Sequence, residues 1–262
     1  MSGLVVVGVD GSPSSLDAVE AAAWEAGRRG VALRLAHALA WPSEPVPPGV
    51  PPWDPNGAGL HHGTNAALAE AERRARSVAP QVEITCEVLM GEPGAVLESE
   101  SRLATLTVVG EGPASRRHGS VAGQLTARGT CPVLVVRGRP HRTGPVVLAG
   151  GASSATRGTV EFAFAEASAR GTDLVVLHAH GDDDRFAPTG LRKKYPDVTV
   201  RFRRVRYRVL RRALVDASAD AQLVVVGVHG RRRVADMLPG SVVRAVLRDG
   251  QCPVAVVPAG TV

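Results

Sequence analysis

"LVVVGVDGSPSSLDAVEAAAWEAGRRG" (residues 4–30) passes from strand to turn to helix within one short span. Its first six residues are a continuous valine-rich run, the pattern of a strand buried on both faces. Gly8 to Gly11 turn the chain, and Ser12-Pro13 supply a hydroxyl cap followed by the one ring that suits a helix's first turn. Leu16, Val19, Ala22, Ala23 and Ala26 then recur at helical spacing until Gly30 stops the helix.

The same alternation continues outward. "ALRLAHA" (32–38) reads as a strand, and a proline-rich loop follows (41–59), too long for a plain connector. A helix over 65–79, a strand over 82–90, a helix over 94–104 and the strand "TLTVVG" (105–110) come next. A helix over 121–129 and the strand "CPVLVV" (131–136) complete the unit. Valine-rich strands alternating with helices predict an open parallel α/β sheet with right-handed crossovers.

The unit occurs twice. Shifting the chain by 141 residues lays Val5-Val6 on Val146-Val147, Glu25-Ala26 on Glu166-Ala167, Arg29-Gly30 on Arg170-Gly171 and His37 on His178. "LTVVG" (106–110) answers "LVVVG" (223–227), and "CPVLVV" answers "CPVAVV" (252–257). "GRPHRTGP" (138–145) interrupts the apolar pattern, which divides the chain into domains at 1–138 and 144–262. The second copy replaces the proline loop and long helix with "GDDDRFAPTGLRKKYPD" (181–197), so a covering helix is expected to be lost or reduced to a turn.

Bulk properties narrow the setting. The aromatic content is 3%, so the 44% apolar fraction is mostly Val, Ala and Leu, as packed parallel sheets require. No apolar stretch approaches the ~20 residues of a membrane helix, and the first residues lack a basic leader. Three cysteines without metal-ligand spacing suit a reduced, cytoplasmic setting. The net charge of +6 admits an anionic partner.

Chemistry concentrates in "GVHGRRRVADMLPGSVVRAV" (227–246), directly after a strand. Gly227 and Gly230, without Cβ atoms, let backbone N–H groups approach a ligand closely. Ser241 opens a helix whose free N–H groups and macrodipole favour an anion. The nine-residue spacer between Gly230 and Gly240 carries Arg231, Arg232 and Arg233 as counter-charges. Together these residues describe a cradle for a nucleotide polyphosphate.

At these residues the chain resembles the universal stress protein family: the Gly-x2-Gly-x9-Gly-Ser signature at Gly227, Gly230, Gly240 and Ser241, the opening "VVVGVDGSPSS" (5–15), the His-Ala after the second strand and the closing Cys-Pro-Val strands. The resemblance spans nearly the whole chain, twice over. It implies two tandem Rossmann-like domains of the adenine nucleotide alpha hydrolase-like type, each an open five-stranded parallel sheet of order 3-2-1-4-5. It implies pairing through the last strands as an internal pseudo-dimer, with a homodimer of whole chains as a further expectation. It also implies ATP, with or without Mg2+, in the second domain on Gly227, His229, Gly230, Arg231, Gly240, Ser241 and Val242.

The halves depart from the family pattern in opposite ways. Asp10 stands where nucleotide binders carry an acidic residue, whereas the second half has Gly151. The first half in turn has a shortened signature, Gly110 to Gly119-Ser120, with Glu111 inside it. The first-domain pocket therefore rests on Asp10, Gly11, Ser12, Gly110, Gly119 and Ser120.

Other features point less clearly to function. His37 and His178 read as packing residues at strand ends. "RFRRVRYRVLRR" (201–212) could dock nucleic acid, but its alternation describes a strand with one solvated face. No nucleophile elbow and no Gly-x4-Gly-Lys-Ser loop occurs, so the chain reads as a binding module, at most a weak ATPase.

Overall fold

The computed structural model describes residues 3–39, 58–111, 121–137, 143–150, 156–179, 186, 188–228 and 241–259, with backbone alone for 58–62, 207 and 241. Two compact units emerge, Met1–Gly112 and Pro113–Val262.

The first unit runs β1 (Leu4–Gly8), α1 (Pro13–Arg29), β2 (Ala32–Leu39), α2 (Ala58–Val78), β3 (Ile84–Met90), α3 (Pro93–Glu100) and β4 (Leu106–Gly110). Its strands lie in the order β3-β2-β1-β4, all parallel, with Val6 opposite both Arg34 and Thr107. Val5, Val6 and Val7 are wholly buried, as the unbroken apolar run requires. Ser12 caps α1, accepting the Ser15 N–H at 3.2 Å, and Gly30 closes it in the left-handed region at φ 64°.

The second unit contains α4 (Val121–Arg128), β5 (Val133–Val136), β6 (Val146–Gly150), α5 (Arg157–Ala169), β7 (Leu174–His178), α6 (Thr189–Lys194), β8 (Val200–Arg204), α7 (Leu210–Ala217), β9 (Leu223–Val228), α8 (Ser241–Asp249) and β10 (Val254–Pro258). Its order is β5-β10-β9-β6-β7-β8. The five strands of the second repeat are parallel, while β5 joins β10 antiparallel through Val135↔Val254 and Val133↔Val256. The α/β class, the doubled parallel sheet and the ladder between the last strands are thus those expected from the sequence.

The compact units divide at Gly112–Pro113, with β5, the last strand of the first repeat, bonded to β10. The covering helix of the second half is, as expected, reduced, here to the six residues of α6. Two local features differ from the expectation. Helix α2 begins at Ala58, inside the stretch expected to be loop. The arginine-rich stretch is a strand only to Arg204, where Arg201 and Arg203 are exposed; a 3-10 turn over Tyr207–Val209 then leads into α7 at Leu210.

The repeat also preserves an uncommon core group. Glu25 is buried in α1 with Arg28 and Arg29 at 2.6 and 3.0 Å, and Glu166 is buried in α5 with Arg170 at 3.0 Å. Carboxylates tolerate such burial only when paired.

Two glycines mark where backbones meet. A Cβ on Gly110 would lie 2.0 Å from the Ser14 carbonyl oxygen, and one on Gly144 2.0 Å from that of Asp220. Gly110→Ala and Gly144→Ala should each destabilise the protein by about 1–3 kcal/mol or more in denaturant unfolding. Gly63, in α2 with open space around it, is the control: Gly63→Ala should be neutral or stabilising by up to ~1 kcal/mol.

Candidate functional site

Parallel topology fixes where a ligand can be held. Because β9 and β10 are paired and parallel, α8 between them must run back across the sheet. Its first residue, Ser241, therefore lies toward the carboxyl ends of the strands, and so do the starts of α1 and α5 in their βαβ units. In open α/β sheets ligands collect at that edge, near the reversal of strand order, which here falls between β1 and β4 and between β6 and β9.

In the first unit this edge carries Asp10, Gly11, Ser12 and Gly110. Asp10 is exposed, and its Oδ1 accepts the Ser12 N–H at 2.9 Å. Gly11 turns the chain at φ 80°, a conformation suited to glycine, with Ala67 of α2 close by. Gly110 ends β4 against the carbonyl of Ser14. His37 at the end of β2 is half-buried, its Nε2 3.3 Å from Thr64 Oγ1 on α2, and its Nδ1 has no hydrogen-bond partner among the described residues. Thr64 was not legible as a site residue, because it lies on a helix whose start the sequence reading placed further along. Gly119 and Ser120 lie outside the described residues.

In the second unit Gly227 is buried in β9 opposite Val257, Ser241 opens α8, and Val242 follows half-buried. His229, Gly230, Arg231 and Gly240 lie outside the described residues. At the ends of the neighbouring strands the structure adds a residue that sequence reasoning missed. Phe186 is fully buried, 5.7 Å ring to ring from His178, which stands edge-on to Phe202 at 6.1 Å. The available signal was one aromatic residue inside the polar stretch "GDDDRFAPTG".

Cys131 and Cys252 are buried, and burial pushes the Cys252 thiol up to about 12. Cys86 is exposed, yet desolvation and the neighbouring Glu72 raise its thiol as well. No cluster of three or more His, Cys, Asp or Glu side chains that could hold a metal occurs among the described residues. Nor, among them, is any helix long and apolar enough to cross a membrane.

Asp10 is electrostatically tuned. Desolvation at the strand end pushes its carboxyl upward, but hydrogen bonds from the Ser12 side chain and backbone, with a further one from Ser15, outweigh that and hold it below the usual carboxylate range. A carboxyl depressed on folding stabilises the protein above its unfolded pKa of about 3.9, and this contribution fades as pH falls through the folded value. Asp10→Asn should therefore be less stable than the parent at neutral pH by no more than about 1 kcal/mol, water screening the exposed group. The difference should shrink below about pH 4 in pH-dependent urea unfolding.

The universal stress protein family profile matches residues 1–137 and 191–258. Universal stress protein Rv2623 of Mycobacterium tuberculosis is 33% identical over 289 residues, covering 96% of this chain and 95% of its own length. Rv1996 of the same organism is 34% identical over 314 residues, covering 96% and 94%. The crystal structure of a universal stress protein from Archaeoglobus fulgidus superposes with a TM-score of 0.67 at 16% identity, over 98% of both chains. With both repeats, the parallel sheets and relatives of matching length in agreement, the chain belongs to the universal stress protein family.

Proposed function

We propose that the chain is an ATP-binding stress-response module of the cytoplasm that works by binding, without turnover, its internal repeat taking the place of a partner chain. The triphosphate, with or without Mg2+, is held in the second unit by Gly227, His229, Gly230, Arg231, Gly240, Ser241 and Val242. The observation that carries this reading is the β9-α8-β10 crossover: it brings a buried glycine strand end and a helix N-terminus to one edge of the sheet. The unpaired N–H groups of a helix's first turn and its dipole both favour phosphate there. The Gly-x2-Gly-x9-Gly-Ser spacing leading into that helix supports the same assignment. In the first unit Asp10, Gly11, Ser12 and Gly110, with Gly119 and Ser120, form the weaker pocket, since the phosphate signature there is shortened.

A second reading has its own observation. Arg211 on α7 and Arg244, Ala245 and Arg248 on α8 line an open groove of about 430 Å³. Arg248 pairs with Asp249 at 2.9 Å, whereas Arg211 and Arg244 make no ion pair with a described residue. This groove would take the phosphate backbone of a nucleic acid and would mark a stress protein acting through its basic surface.

Thermal unfolding separates the two. ATP at about 100 Kd stabilises by ~2.7 kcal/mol, a Tm rise on the order of 5–10 °C for a chain of this size. Gly230→Asp should abolish that rise by placing a carboxylate among the phosphates. No rise in the parent protein, or an equal rise in the variant, would remove the cradle reading. Nucleic-acid binding that falls steeply with salt, and is lost in Arg244→Ala but kept in Gly230→Asp, would establish the second.

A further inference from the structure

We infer that Phe186 fills the base-recognising compartment of the second unit, so that this unit holds a triphosphate without distinguishing the base attached to it. The inference rests on the triphosphate reading above and concerns the selectivity of that same site. With phosphates at the start of α8, beside the end of β9, the remainder of a nucleotide has to run over the ends of β6 and β7, the next strands in the sheet.

Those ends are occupied. Gly150 closes β6 directly opposite His178 on β7. A Cβ on Gly150 would meet Phe186 Cε1 at 3.1 Å and the His178 Cβ at 3.0 Å, so the ring sits in the space a side chain at that position would enter. Phe186 and His178 are 0% and 1% exposed, and Phe202 of β8 meets the His178 ring edge-on at 6.1 Å. The repeat makes the contrast direct. The residues equivalent to Gly150 and His178 are Val9 and His37, and among the described residues no ring packs on His37. There a half-buried imidazole meets a threonine hydroxyl and an exposed carboxylate stands one residue beyond Val9. One half thus keeps polar groups able to read a nucleoside, and the other has an aromatic row. Exposing a fully buried phenylalanine costs more than stacking one base returns.

Isothermal titration of the full chain with ATP, GTP and inorganic tripolyphosphate tests this, the second-unit component being the part lost in Gly230→Asp. In the parent protein the three ligands should bind that component within about threefold of one another, the phosphates alone being held. Phe186→Ala should tighten ATP by about tenfold, the order of one base-stacking contact, and leave tripolyphosphate unchanged. Phe186→Leu, which keeps the core filled, should fall between and guards against a variant that does not fold. A parent preference for ATP over GTP and tripolyphosphate of more than about tenfold, or unchanged ATP affinity in both folded variants, overturns the inference. Tripolyphosphate binding that survives Gly230→Asp instead removes the cradle reading on which it stands, so the two failures are told apart.

Discussion

Burial of the central strands on both faces is the constraint the rest of the chain answers to. Val5, Val6 and Val7 in β1 and Val224, Val225 and Val226 in β9 are each wholly inaccessible to solvent. Their backbone groups are satisfied sideways by parallel ladders, and their side chains need a helix above and below. That need explains the alanine-rich inner face of α1, where Ala18, Ala22, Ala23 and Ala26 allow close approach. It also explains why Gly110 and Gly144 cannot carry a side chain where backbones converge.

The two units meet this constraint with different material. In the first, the 21-residue α2 packs on α1, β2 and β3 and reaches His37 through Thr64. In the second, a six-residue helix and the ring of Phe186 stand in for it. Covering a sheet end with a helix leaves polar groups such as His37 and Asp10 within reach of solvent; covering it with an aromatic ring does not. The same replacement that completes the second core therefore changes what the carboxyl edge of that sheet can contact.

Most of the architecture was legible because it rests on periodicity. Valine runs gave the buried strands, the Ser12-Pro13 and Gly30 signals gave the limits of α1, and the 141-residue shift gave the doubling. The start of α2 was not legible, because the Pro and Gly signals upstream read as loop. Repeats are read along the chain, whereas compact units follow pairing: β5 closes the first repeat in sequence and bonds to β10. Of the candidate site residues, Gly227 could be picked out by spacing and Asp10 by its match to the family's acidic position. Phe186 and Thr64 could not, since what they touch depends on segments brought together only by folding.

The antiparallel union of β5 with β10 leaves the sequence repeat and the compact unit out of step by one strand. A gene fragment trimmed at the obvious seam, beginning at residue 144, would encode every strand of the second repeat and still lack β5, one of the two strands that β10 bonds to. The bare N–H and C=O row along β10 would then be a template for whatever extended segment comes first. Halves of this polypeptide made separately are on that account inclined to stick to themselves, or to each other, through a seam that the intact chain keeps closed.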